Sequence, residues 1–226
     1  MGQNISSAVM QQRSEPHSSL DDFPTPPWAT RALCEWLQNP WDDGPVHAPS
    51  TGQLVCREPA ANRGHMVRPL AEYFAAVEAS DVFDYGAGFP VADYLFGPLP
   101  PMVDWTITNP PFRLAEQFIA RALATSSAGV AMIVRSAFLE GVGRHKTLFS
   151  KTPPTDILQF CERVVMHKGK LSAKGSTATA YCWLLWRTHA PRGQFGWIPP
   201  CRKALERVSD YPVSEAQQSG AADGFR

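Results

Sequence analysis

Apolar runs separated by turn residues dominate the chain after residue 20. Trp28, Ala32, Leu33, Trp36 and Leu37 recur at helical spacing behind Asp22-Phe23-Pro24-Thr25-Pro26-Pro27. A helix is expected there, with Thr25 as N-cap and the prolines in a first turn where no intrahelical N–H is lost. Residues 38–52 are rich in Pro, Asp and Gly and read as a loop. Residues 53–56 read as a short buried strand, 65–74 as a helix and 76–80 as a weak strand. Trp105-Thr106-Ile107-Thr108 is a run of β-branched and aromatic residues, hence a strand, and Asn109-Pro110 ends it because proline cannot donate to a ladder. The pattern turns helical from Phe112 to Ala124. Residues 129–134 form an apolar strand ending at Arg135, and residues 138–149 read as a loop and short helix. Residues 157–160 and 163–166 are short strand candidates, and residues 178–186 are the strongest strand of the second half. Strand–helix alternation followed by a terminal hairpin predicts an α/β protein. Its sheet should be mostly parallel with one antiparallel strand near the C-terminus, and helices should cover both faces.

Composition narrows this picture. At 226 residues, 44% hydrophobic and 19% charged, the chain fits one globular domain over residues 21–200. Residues 1–20, rich in Ser and Gln, are expected to be mobile, and residues 201–226 to form a tail. Apolar runs such as 129–134 and 181–186 are far too short for a bilayer span, and no apolar stretch follows a basic start. The five cysteines are scattered and never form a C-x-x-C pair, which points to reduced thiols in the cytoplasm without zinc or disulfides.

The formal charge is zero, but its distribution is uneven. Residues 1–134 hold 7 Lys and Arg against 14 Asp and Glu, whereas residues 135–207 hold 13 against 4. A basic second half points to nucleic acid. Within it, residues 167–176 form a Gly-containing connection with Lys168, Lys170 and Lys174, suited to gripping phosphates.

Three stretches carry candidate chemistry. Asn109-Pro110-Pro111-Phe112 presents an amide, backbone carbonyls and a ring at the carboxyl end of a strand, where open α/β sheets bind ligands. Glu58-Pro59-Ala60-Ala61-Asn62-Arg63-Gly64 leaves a strand through small residues into a helix, which lets a nucleotide-type ligand approach the backbone. It is neither a dinucleotide fingerprint nor a P-loop. Asp81 ends the next strand, 23 residues after Glu58, a place suited to ribose hydroxyls, and Phe83 and Tyr85 lie close enough in sequence to flank a purine. Asp93 falls where a third strand-end loop is expected, which makes Asn109 the end of a fourth strand.

This ordered set resembles the S-adenosylmethionine-dependent DNA adenine-N6 methyltransferases of the gamma-type motif order, in particular small phage- and prophage-type members. The landmarks are Phe23-x-Thr25-Pro26, Glu58-Pro59-Ala60, Asp81 and Asn109-Pro110-Pro111-Phe112, and the similarity runs from about Phe23 to Trp186. The resemblance implies a Rossmann-like methyltransferase sheet and S-adenosylmethionine as cofactor. It implies that Phe23, Thr25 and Pro26 border the methionine half, while Glu58, Pro59, Ala60, Asn62 and Gly64 form the main cradle. Asp81 would bind the ribose, Val82 would pack on the adenine, and Asp93 would meet its amino group. Asn109, Pro110, Pro111 and Phe112 would form the catalytic turn, with Phe112 stacked on a flipped adenine. Arg135, Arg144, Lys146, Lys168, Lys170 and Lys174 are the candidates for DNA phosphates. Asn62 stands where the family usually has Gly, and Asn tolerates positive φ better than other side chains. There is no room for the family's large target-recognition domain. The same turn also suits adenine in RNA or a glutamine amide, and a degenerate nucleic-acid-binding module is the non-enzyme alternative.

Overall fold

Strand alternation sorts the core of this protein onto two faces of one sheet. The computed structural model describes residues 21–38 and 51–211. The segment expected to be mobile (1–20), most of the loop expected over 38–52 and the end of the expected tail lie outside the described residues. The elements are α1 (Pro27–Gln38), β1 (Val55–Glu58), the single helical turn α2 (Val67–Leu70), β2 (Ala76–Ala79), β3 (Val103–Thr108), α3 (Ala115–Leu123), β4 (Ser126–Arg135), β5 (Asp156–Phe160), β6 (Tyr181–Arg187), β7 (Gln194–Ile198) and the short α4 (Arg202–Leu205). Helical turns over residues 136–149 link β4 to the segment before β5.

The seven strands lie in the order β2-β1-β3-β4-β6-β5-β7. All neighbours run parallel except β6, which is antiparallel to both β4 and β5. Along β4, Ala131 and Ile133 face one core with Trp105, Ile107, Trp183 and Leu185. Val130, Met132 and Val134 face the other with Cys182, Leu184 and Trp186. Helix α1 seals the first face through Trp28, Ala29, Leu33 and Leu37. Helix α3 seals the second through Phe118, Ile119 and Ala122. The sheet is therefore mostly parallel with one antiparallel strand, as the alternation implied, and it has helices on both faces.

Gly129 is required by a close approach. It pairs with Trp105 across β3 and β4, and a Cβ at position 129 would sit 2.5 Å from the Trp105 ring. Because Trp105 is itself buried, the ring has no free space to enter. Gly129→Ala is expected to lower stability by about 1–3 kcal/mol, the usual cost of overpacking, read as a fall in urea midpoint without a change in slope.

Several elements differ from the sequence expectation. Residues 81–102 hold no third strand, only an isolated parallel bridge between Asp81 and Val91. Pro90, Pro98, Pro100 and Pro101 deprive this stretch of ladder donors. Asn109 thus follows the third strand, not the fourth. The helix expected over 65–74 shrinks to α2, which contains Pro69. Residues 163–166 join no ladder although Val164, Val165 and Met166 are buried, so residues 167–176 do not close a hairpin. Strand β7 went unread because its alternation places Phe195 and Trp197 in solvent and only Ile198 in the core.

The chain after β7 docks on α1. Arg31, buried in that helix, donates to both carboxylate oxygens of Asp210 at 2.8 Å, to both of Glu72 and to the carbonyl of Leu205. Among the described residues no helix is long and apolar enough to cross a membrane.

Candidate active site

The carboxyl ends of β1 and β3 carry the two turns of interest, and one buried side chain ties them together. Glu58 closes β1 and is wholly buried. Its Oε1 accepts from the Ala60 N–H at 2.9 Å and from Thr108 Oγ1 at 2.5 Å, and its Oε2 has no partner among the described residues. Thr108 is the last residue of β3, directly before Asn109. Burial pushes the Glu58 pKa up to about 8, against the lowering effect of those two hydrogen bonds. Glu58 lies beneath the turns and does not line the cleft, so the structure gives it a supporting place, not a wall of the cradle.

After Glu58, Pro59, Ala60 and Asn62 line an open cleft. Asn62 adopts φ +50, the left-handed conformation that Gly usually takes at such turns. Its side chain compensates: Nδ2 donates to Asp22 Oδ1 at 2.7 Å, and Oδ1 accepts from the Arg63 N–H at 2.7 Å. Arg63 also pairs with Asp22 at 3.0 Å, so the turn is laced to the strap before α1. Gly64 has φ +78 and does not face the cleft; a Cβ there would press on the Phe89 ring at 3.0 Å.

Asp81 lies across from this turn. Its Oδ2 accepts from the Asn62 N–H at 2.8 Å and its Oδ1 from the Phe83 N–H at 3.0 Å. Burial raises its pKa, opposed by these backbone bonds. Val82 and Asp93 line the same cleft, Val82 with more than half its surface exposed to it and to solvent. Tyr85 also lines it and packs edge-on against Phe83, with the Arg63 guanidinium 4.8 Å from its ring centre.

The strap before α1 supplies Phe23 and Thr25 to the cleft, while Pro26 stays behind them. Thr25 was expected to cap α1, yet its Oγ1 is buried and makes no hydrogen bond. The Tyr94 hydroxyl is in the same condition, and both residues line the cleft. Among the described residues Thr30 Oγ1 and Arg57 Nη1, away from the cleft, are buried and unpaired as well.

Asn109 is held from behind. Its Nδ2 donates to the Phe23 carbonyl at 2.9 Å and lies 3.8 Å from Met166 Sδ. Both are acceptors, so Oδ1 is the atom left free to accept. Asn109 and Pro111 line the cleft, whereas Pro110 and Phe112 do not. The Phe112 N–H donates to Asp21 Oδ2 at 2.5 Å, and the ring leans on Phe23 with centres 5.5 Å apart.

Of the six basic candidates, two are committed elsewhere. The Arg135 guanidinium sits 4.0 Å over the Phe112 ring, placing it at the Asn109–Phe112 turn and not on an outer phosphate surface. Arg144 donates to the carbonyls of Phe138 and Glu140 and covers the Phe138 ring, so it stitches its own loop together. Lys146, Lys168, Lys170 and Lys174 are exposed. The Gly169 N–H donates to the Asp22 carbonyl at 2.8 Å, which docks the Lys168–Lys170 turn beside the strap that borders the cleft. Tyr85, expected to flank a purine, lines the cleft while Phe83 does not, and Asp21, His65, Tyr94, Leu114 and Phe118 line it without a sequence expectation. Proximity to a motif was the only signal for most of them.

The sheet, with the Glu58–Gly64 and Asn109–Phe112 turns at the ends of its first and third strands, has a Rossmann-like fold. Solved structures share it. The modification subunit of a putative type I restriction enzyme from Vibrio vulnificus YJ016 aligns with 95% of this chain and 55% of its own at a TM-score of 0.53 and 15% identity. The EcoKI M protein aligns over 79% of this chain and 46% of its own, at 0.53 and 13%. A putative RNA methyltransferase from Pyrococcus horikoshii aligns over 80% and 96%, at 0.52 and 17%. The chain thus spans about half the length of the two restriction-enzyme subunits. No protein-family model and no curated protein matches the sequence.

Proposed function

We propose that this protein transfers a methyl group from S-adenosylmethionine to the N6 amino group of adenine in DNA. The observation that carries the reading is Asn109: its N–H is tied to the Phe23 carbonyl and its Oδ1 is free, at the mouth of a cleft lined by Ala60, Asn62 and Asp81.

The cleft fits the cofactor on its own chemistry. Asp81 accepts from ribose hydroxyls with the lone pairs that its two backbone bonds leave over, and the orphaned Thr25 hydroxyl pairs with the methionine half. Val82 and Asp93 serve the purine. When bound, the cofactor supplies an electrophilic methyl on a sulfonium. The chain's own residues do the remainder. An exocyclic amino nitrogen is a poor nucleophile because its lone pair is delocalised into the ring. The Asn109 Oδ1 and the Pro110 carbonyl accept its two N–H bonds, which localises the lone pair and aims it. Fixed acceptors and orientation carry the rate without a covalent intermediate on the protein.

A flipped adenine stacks on Phe112 and must share or take the ring face that Arg135 covers. Lys168, Lys170 and Lys174 supply phosphate contacts that offset the cost of flipping, and the net positive charge of residues 135–207 favours nucleic acid over a protein amide. The test is direct. Protein, labelled S-adenosylmethionine and DNA, RNA or protein extract are incubated separately, then digested and separated. Label in N6-methyl-2′-deoxyadenosine from DNA is the expected result. Label only in RNA or in glutamine would reassign the substrate, and no label in any fraction would overturn the enzymatic reading.

A further inference from the structure

Strand β7 extends the sheet past the elements that cover it. Its register with β5 pairs Phe195 with Ile157 and Trp197 with Gln159, and β5 in turn pairs Ile157 with Leu184 and Gln159 with Cys182. Leu184 and Cys182 belong to the core beneath α3. Phe195 and Trp197 therefore continue that face outward, but there the cover ends: they are 51% and 63% exposed. Their rings meet edge to face with centres 4.8 Å apart. Large apolar side chains that stand together in solvent mark a contact surface.

Charge says what the rings meet. Residues 151–165 and 187–203, which build β5, β7 and their flanks, hold only two acids, Asp156 and Glu162. Asp156 is buried and pairs with Arg187 at 2.8 Å, and Glu162 accepts from the N–H groups of Cys201 and Arg202. Lys151, Arg163, Arg192 and Lys203 are exposed. Lys151 and Arg192 precede β5 and β7, and Arg163 and Lys203 follow them, so cations stand at both ends of these strands. A second copy set on this face would bring its own four cations against them. An unpaired nucleic-acid strand suits both features: its bases stack on aromatic rings and its phosphates meet the cations. A duplex keeps its base faces stacked inside.

The carboxyl ends of β5 and β7 point the same way as those of β1 and β3, because β6 is antiparallel to both of its neighbours. Trp197 thus lies towards the edge of the sheet that carries the Asn109–Phe112 turn, about 19 Å from β3 at four strand spacings.

We propose that the exposed face of β7 binds an unpaired nucleic-acid strand, with Phe195 and Trp197 stacking on bases and Arg192 and Lys203 meeting phosphates. The surface lies outside the cleft and needs neither S-adenosylmethionine nor methyl transfer.

Fluorescence anisotropy of a labelled oligothymidine of about 12 nucleotides, titrated with the protein without cofactor, tests this. Trp197→Ala is expected to weaken binding about 10-fold, the worth of one stacked base, with the slope of affinity against salt unchanged. Trp197→Phe should restore most of the loss. Arg192→Gln should instead reduce the salt slope by about 0.7, one phosphate contact. Both positions are exposed, so the variants should melt with wild type. Annealing the oligothymidine to its complement should remove the difference between wild type and Trp197→Ala. Equal affinity of the two proteins for the single strand would overturn the proposal, as would an equal loss on the duplex. A wild type that sediments as a dimer, beside a monomeric Trp197→Ala, would assign the face to a second copy and overturn it too.

Discussion

Asn109→Ala is expected to lower single-turnover methyl transfer by about 10²–10³-fold, the range found when one preorganised group is removed from an active site. S-adenosylmethionine affinity should fall far less, because in the proposed reaction Asn109 meets the target amino group and not the cofactor's main contacts. Two things go at once in this variant: the Oδ1 acceptor, and the bond from Nδ2 to the Phe23 carbonyl. Asn109→Asp separates them. It keeps acceptor oxygens but has no N–H for Phe23, so its carboxylate is turned away from that carbonyl and its rate should fall between wild type and Asn109→Ala. Full activity in Asn109→Ala would remove the acceptor pair from the mechanism, whatever the substrate.

Stability should fall with rising pH, and Glu58 is the reason. Its ordinary pKa is 4.5, and burial pushes the folded value to about 8. Between those values the folded chain holds a proton that the unfolded chain has released. The stabilisation is therefore complete below 4.5 and lost as pH rises through 8, at a slope of up to about 1.4 kcal/mol per pH unit. Glu58→Gln keeps a neutral side chain of the same shape and can still accept from the Ala60 N–H and Thr108. It should flatten the slope and exceed wild type in stability at pH 8. Urea unfolding of both proteins at pH 5, 6, 7 and 8 measures this, and an equal slope in the two would show that Glu58 does not hold the proton.

Much of this fold was legible because apolar residues report which side of an element is buried. Trp28, Leu33 and Leu37 marked α1, and residues 129–134 marked the centre of β4, whose two faces are both covered. The edges were not legible. β7 buries one side chain only, so it lacks a pattern to read. Val164, Val165 and Met166 are buried yet join no ladder, since burial and ladder formation are separate demands. Prolines made the stretch before Asn109 a chain of turns, which shifted the strand count.

At the site, the turn chemistry was visible and the division of labour was not. Asn62 was expected to tolerate positive φ and does so, with Asp22 holding its amide in place. That Glu58 sits under the cradle depends on how β1 and β3 align, and that Arg135 covers Phe112 depends on where β4 ends. Neither alignment is written in local sequence. Tyr94 was hidden for a related reason: a tyrosine in a loop gives no sign that its hydroxyl will be buried without a partner.

The central claim is that the cleft between the ends of β1 and β3 takes S-adenosylmethionine. Calorimetric titration of the protein with S-adenosylmethionine tests it most directly. One-site binding at one equivalent per chain, weakened when Asp81 is changed to Ala, is the result this structure predicts. No heat at any concentration, in a protein that melts cooperatively, would contradict it.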